Sequence, residues 1–173
     1  MGFSPFGGKS LAALTESDLR TLVTNGVAEG YTVEYKREPV SNAKLSHSLA
    51  SLANTNGGWY IVGVVTDDSN VAVDVPGHDF SGGDYLSTVR DVVTAHIGPA
   101  LAFEARLIDL ERGTSVLVVS VPDRQATPFI TSDGRVYRRS GDSSTPVPEK
   151  DRHSFDRLVD LGREPEKALL LAK

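Results

Sequence analysis

Two glutamates and a lysine are the first residues in this chain whose types and spacing suggest chemistry. Glu34 and Lys36 lie two apart in Val33-Glu34-Tyr35-Lys36-Arg37, a run that alternates apolar with charged residues as a half-buried strand does. Residues two apart on a strand share a face, so a carboxylate and an ammonium project together. That pair suits metal-assisted phosphodiester cleavage, in which the carboxylate holds a divalent ion and the lysine or the ion neutralises the growing charge. Glu29, five residues earlier and across Gly30, can curl back as a second ligand. An exposed strand face with alternating charges has the same spacing. Asp67 and Asp68 supply further carboxylates, the oxygen ligands that Mg²⁺ and Mn²⁺ take. They are also ordinary hairpin-turn residues.

Charge distribution sharpens the picture. With 18 Lys and Arg against 23 Asp and Glu, the net charge is −5, which argues against a protein that coats nucleic acid by bulk attraction. From Ser46 to Val89 there is no Lys or Arg, but there are Asp67, Asp68, Asp74, Asp79 and Asp84, so the remainder of the chain sums to zero. Within that remainder, basic residues gather as Lys36-Arg37, Arg135 with Arg138-Arg139, and Lys150 with Arg152. These groups read either as a local phosphate-binding groove or as solvated surface charge paired with Asp and Glu.

Other features exclude chemistries. The absence of cysteine removes disulfide scaffolds, zinc-thiolate sites, iron–sulfur clusters and thiol catalysis. Gly7-Gly8-Lys9-Ser10 has the ending of a phosphate loop but lacks its first glycine and a preceding strand, so no ATP site is expected. His47, His78, His96 and His153 are scattered, with no pair at helical ligand spacing. No apolar stretch is long enough to span a membrane, and Met1 to Phe6 lacks the pattern of a signal peptide, so a cytoplasmic location is expected.

The elements that must position these residues alternate. Residues 1–12 read as a flexible lead-in, 13–161 as the domain, and 162–173 as a tail with a short apolar run at 168–171. Thr15 with Asp18 forms a capping box for a helix over 15–25. Ser41 caps a second helix that Asn54-Thr55-Asn56-Gly57-Gly58 breaks, and Asp84 caps a third. Trp59 to Val65 is the most apolar strand and is expected at the centre of the sheet, with Val71 to Val75 pairing back behind the Asp67-Asp68 turn. Further β runs at 101–110 and 114–121, a hairpin around Ser132-Asp133-Gly134, and a fourth helix over 149–161 complete an α+β domain with a mixed β-sheet flanked by helices.

Three segments together resemble the Schlafen-type AlbA domain family, a nucleic-acid-binding module. Glu29-(four residues)-Glu34-Tyr35-Lys36 is similar to its E-x4-E-[FY]-K element. Leu52-Ala53-Asn54-Thr55-Asn56-Gly57-Gly58 with Ile61-Val62-Gly63-Val64 resembles its AFANT-GG-x3-IGV pattern, Leu52 replacing the phenylalanine. Tyr137-Arg138-Arg139-Ser140-Gly141-Asp142-Ser143-Ser144-Thr145 resembles its Y-x-R-x-G-(S/D)-S-T segment. Some Schlafen proteins are metal-dependent ribonucleases that cut transfer RNA with three carboxylates. The resemblance therefore implies Glu29 and Glu34 as ligands of Mg²⁺ or Mn²⁺. The third carboxylate falls by direct count at Thr66, so Asp67 comes one residue late, a shift that a bulge in the hairpin restores.

Two readings follow. In the first, the chain is a metal-dependent endoribonuclease acting on structured RNA. Glu29, Glu34 and Asp67 hold the ion, Lys36 stabilises the transition state, and Arg37, Arg138 and Arg139 grip phosphate. In the second, the same basic residues serve a noncatalytic, regulatory DNA- or RNA-binding module. Either way the expected partner is nucleic acid, RNA in preference to DNA. A homodimer is also expected, because related proteins form their groove from two lobes and this chain supplies one.

Overall fold

Alternation along one strand sets the architecture. In the computed structural model, which describes residues 3–123, 125–140 and 144–171 with side chains up to 163, Trp59 and Ile61 of β2 (Gly58–Val62) face one layer and Tyr60 and Val62 the other. All four are buried, so β2 is an inner strand, as its apolar run requires. It pairs in parallel with β1 (Val33–Lys36) and antiparallel with β7 (Ser115–Val121), which pairs with β6 (Glu104–Asp109). The resulting mixed sheet has the order β1-β2-β7-β6. No helix among the described residues is long and apolar enough to cross a membrane.

One face of the sheet packs against α2 (Asn42–Ala53) and α3 (Tyr85–His96), which bring Leu45, Leu49, Leu52, Val89, Val92 and Val93 onto Tyr60, Val62, Leu117 and Val119. The caps are those expected: the Ser41 hydroxyl accepts the Lys44 N–H, and the Asp84 carboxylate accepts the Ser87 N–H. The other face carries α1 (Glu16–Thr24), a 3-10 turn at Leu11–Ala13, and the hairpin of β3 (Val65–Thr66) and β4 (Ala72–Asp74).

Several elements depart from the sequence expectation. The lead-in is packed, with Phe6 buried edge-on against Trp59 (centroids 5.1 Å apart) and Leu11 buried beside it. Phe6, Leu11 and Leu14 are buried together in this layer, and their joint burial opposes the entropy lost in ordering the segment. The turn at 132–135 forms and is closed by the Thr131 N–H on the Arg135 carbonyl (2.9 Å), but the expected ladder from 129–130 to 136–137 does not extend from it. Instead β8 (Ile130–Thr131) pairs with β5 (Ile97–Gly98), and β9 (Tyr137–Arg138) with β10 (Val147–Pro148). The last helix, α4 (Arg152–Leu171), starts later and runs further than expected. A Cβ at Gly162 would lie 1.9 Å from the Thr127 carbonyl oxygen, so this glycine permits a close crossing and does not stop the helix. The apolar run at 168–171 lies outside the described side chains.

Candidate functional site

The three motifs converge in space, and Asn54 is the reason. At the C-terminal end of α2 its buried side chain donates to the Phe129 carbonyl (2.8 Å) and the Tyr137 carbonyl (3.0 Å), and accepts the Phe129 N–H (2.7 Å). Thr55 beside it accepts the Arg139 N–H (3.1 Å) and donates to the Ser51 carbonyl. The two residues thus bolt the 129–139 segment onto α2. Gly57 and Gly58 let the chain turn immediately into β2. Both have positive φ, and a Cβ there would lie 2.5 Å from the Val121 carbonyl oxygen and 2.4 Å from that of Thr32.

Bolted in this way, β9 alternates. Tyr137 is buried, Arg138 is half-buried, and Arg139 just beyond it is buried again. The Arg139 side chain is 0% exposed. It donates to the Glu34 carboxylate through Nη2 and to the Gly30 carbonyl through Nη1 (2.7 Å). Burial lowers the Arg139 pKa from its ordinary value, and the charges of Glu34 and Glu29 work against that shift. The phosphate-gripping role expected of Arg139 is therefore not available at the surface in this structure; the residue is an internal counter-ion.

Glu34 and Lys36 do share a face, the one toward α2. The Glu34 carboxylate accepts the Ser48 hydroxyl (2.9 Å) and the Lys36 ammonium (2.7 Å) on Oε1, and Arg139 on Oε2. Glu34 is buried, whereas Lys36 keeps 30% of its side chain in solvent. Burial first, and then the Glu34 charge, push the neighbouring Tyr60 phenol far above its ordinary pKa. Glu29 instead covers the open edge of β1, accepting the Tyr35 N–H (2.6 Å) and the Ser144 hydroxyl (3.3 Å). Burial and the Glu29 charge raise Tyr35 on the opposite face in the same way. Arg139 feels both glutamates, but through different surroundings.

Asp67 is elsewhere in kind. It is exposed, and its Oδ1 accepts the Ser69 and Val71 N–H groups (2.9 Å each), closing its own turn. The expected bulge exists in the β3–β4 hairpin, where Val65 pairs with Asp74 and Thr66 with Ala72. The extra residue is therefore Val73 on β4, and it does not move Asp67 back by one place. Among the described residues, no three Asp, Glu or His side chains gather as a metal site. A divalent ion does not fit this arrangement, because Asp67 serves its turn and the Glu34 oxygens serve two cations and a hydroxyl.

Arg37 is exposed, and Arg138, with 30% of its side chain exposed, pairs with Glu149 (3.0 Å). Gly141, Asp142 and Ser143 of the third motif lie outside the described residues. Sequence reasoning missed Ser48, Glu149 and the set formed by His47, Tyr137 and Asp133. In that set His47 stacks on Tyr137 at 4.0 Å and lies 3.4 Å from the Asp133 carboxylate. The serine and aspartate carried no local signal, but a buried Arg139 two residues from a buried Tyr137 could have been read from strand alternation. Lys9 of the apparent phosphate loop pairs with Asp18 of the α1 cap.

The Schlafen, AlbA_2 family model matches residues 29–148, and the chain belongs to that family. Membership points to a nucleic-acid-related function. Among solved structures, the DIP2311 protein from Corynebacterium diphtheriae is similar at 23% identity and a TM-score of 0.48. The match covers 75% of this chain and 29% of that one, so the present chain corresponds to under a third of it. The N-terminal domain of a RecG-related protein from Nitrosomonas europaea is similar at 25% identity and a TM-score of 0.48, over 75% of this chain and 91% of that one. A search of curated proteins gives no match.

Proposed function

We propose that this chain is a nucleic-acid-binding module that holds the phosphate backbone of RNA, in preference to DNA, without cutting it. One observation carries the reading: Glu34 and Glu29 turn inward, onto Arg139 and the β1 edge. What reaches solvent is Arg37, the rim of Arg138 and part of Lys36, whose ammonium is held by Glu34 and the Tyr35 carbonyl (3.0 Å), with Glu38 beside them. Ammonium and guanidinium groups on phosphate give affinity that is sequence-independent and salt-dependent. A twofold pair of chains belongs to the same proposal, because two such faces make a longer groove than one.

The test is an anisotropy titration of labelled transfer RNA and of duplex DNA at several salt concentrations. Lys36→Ala and Arg37→Ala should each weaken binding similarly across sequences and lower the salt slope by about 1. Unchanged slopes would remove the assignment. Light scattering with and without RNA tests the pair: a mass that stays at 18.5 kDa throughout rules it out.

A metal-dependent endoribonuclease is the second reading, favoured by the intact E-x4-E-x-K spacing and by Arg139 sensing both glutamates. It requires Asp67, or another acid, to join Glu29 and Glu34. Incubation with transfer RNA in Mn²⁺ or EDTA separates the readings, since Mn²⁺-dependent cleavage that Glu34→Gln abolishes would establish the second.

A further inference from the structure

A cleft of about 270 Å³ opens between β9, β10 and the start of α4, lined by Tyr31, Arg138, Arg139, Ser140, Pro148 and Ser154 among others. Its polar chemistry is one-sided. Arg138 spends one Nη on Glu149, while its Nε is buried and finds no acceptor among the described residues; the Nε of Arg139, behind the wall, is in the same state. Both Nε atoms are closed to solvent, and alternation along β9 sends the two side chains to opposite sides. What the cleft itself offers is the half-exposed Arg138 guanidinium, 30% of whose side chain is in solvent and which can only donate. Glu149 does not offer one to a ligand's donors, because its Oε1 already takes the Lys150 and Asp151 N–H groups (2.8 Å each) and its Oε2 takes Arg138. The occupant must therefore be rich in acceptors, and a phosphate is the acceptor-rich group that arginine forks match best.

The rest of the lining says what carries that phosphate. Tyr31 leaves 39% of its surface exposed at the mouth, and Val147 and Pro148 give an apolar side. Unstacked bases are held on such aromatic faces. The volume lies just below the usual small-molecule range of roughly 300–1,000 Å³, so the cleft takes one unit of a chain and not a duplex segment.

We infer that this cleft binds a single phosphorylated nucleotide unit, with Arg138 and the field of Arg139 on the phosphate and Tyr31 on the base. Glu34 then acts as a positioning residue, holding the Arg139 guanidinium rigid and charged behind the cleft wall. The inference rests on the nucleic-acid reading for its natural source, a strand phosphate, but the chemistry is shared with a free nucleotide.

The experiment follows the arginine Nε–H signals of the ¹⁵N-labelled full chain, that of Arg138 being identified by its loss in Arg138→Lys. The probes are inorganic phosphate, adenosine 5′-monophosphate, and a short single-stranded RNA without terminal phosphates. The Arg138 signal should shift with the nucleotide or the RNA. Tyr31→Ala, a surface change that leaves the core intact, should weaken nucleotide binding at least about fivefold while leaving phosphate affinity within about twofold. A shift with RNA alone identifies a strand phosphate as the occupant. A shift with the nucleotide alone keeps the cleft site but removes support for RNA binding. If RNA binds by anisotropy while no probe moves the Arg138 signal, the cleft site is overturned and the nucleic-acid reading stands. Unchanged nucleotide affinity in Tyr31→Ala overturns it as well.

Discussion

Glu34 and Asp67 are both carboxylates in family-like motifs, yet the fold gives them opposite surroundings. Glu34 sits on an inner strand face under α2, stripped of water, and is matched by Arg139, Lys36 and Ser48. Asp67 stands in solvent and closes its own turn through the Ser69 and Val71 N–H groups. A buried carboxylate is defined by the cations that compensate it, and an exposed one by the backbone it caps. Shared residue type and plausible spacing therefore do not make a shared site.

The largest effect expected from this contrast is at Glu34. Glu34→Ala strands a buried guanidinium and should cost about 3–5 kcal/mol in urea unfolding, whereas Glu34→Leu combined with Arg139→Met should recover most of that loss. A cost below about 1 kcal/mol for the single change would show that the pair is not buried in solution. Asn54→Ala comes next. It removes three buried hydrogen bonds and should cost about 2–3 kcal/mol, with hydrogen exchange at Phe129 and Arg139 rising before that of β2 and β7.

Asp67→Ala should cost only about 0.5–1 kcal/mol, the scale of a local cap, and leave RNA affinity unchanged. If it abolished a Mn²⁺-dependent cleavage, the contrast between the two carboxylates would collapse. The smallest effect lies at Asp18. Hydrogen bonding from Lys9, then from the Thr15 N–H and hydroxyl, lowers its pKa from 3.8 to about 2. A depressed carboxylate pKa stabilises the fold above the unfolded value, and that contribution disappears as pH falls through the folded one. A ¹³C carboxyl titration should therefore find its midpoint near pH 2, moving upward in Lys9→Ala.

Much of the fold was legible in the sequence because its signals are local. Thr15 with Asp18, Ser41 and Asp84 mark helix starts by chemistry that acts within one turn, and the alternation of Val33 to Lys36 marks a strand face. What was not legible depends on partners distant in sequence. Nothing near Arg139 says that it will meet Glu34 and Gly30, and nothing near Phe6 says that Trp59 will cover it. The break at Asn54-Thr55 was legible as a helix end, but not its second task as an anchor. The pairing of β8 with β5, in place of a simple hairpin, was hidden for the same reason.

The hydrogen bonds of Asn54 span 75 and 83 residues of sequence. Closing such long loops costs entropy before any contact repays it, and contacts of this span slow folding. The α2–β2 unit can collapse from nearby residues, whereas the 129–139 segment must search for a finished helix end. Refolding followed at Trp59 should therefore run ahead of refolding followed at Tyr137. Chains caught between the two phases would carry a formed sheet but no buried home for Arg139.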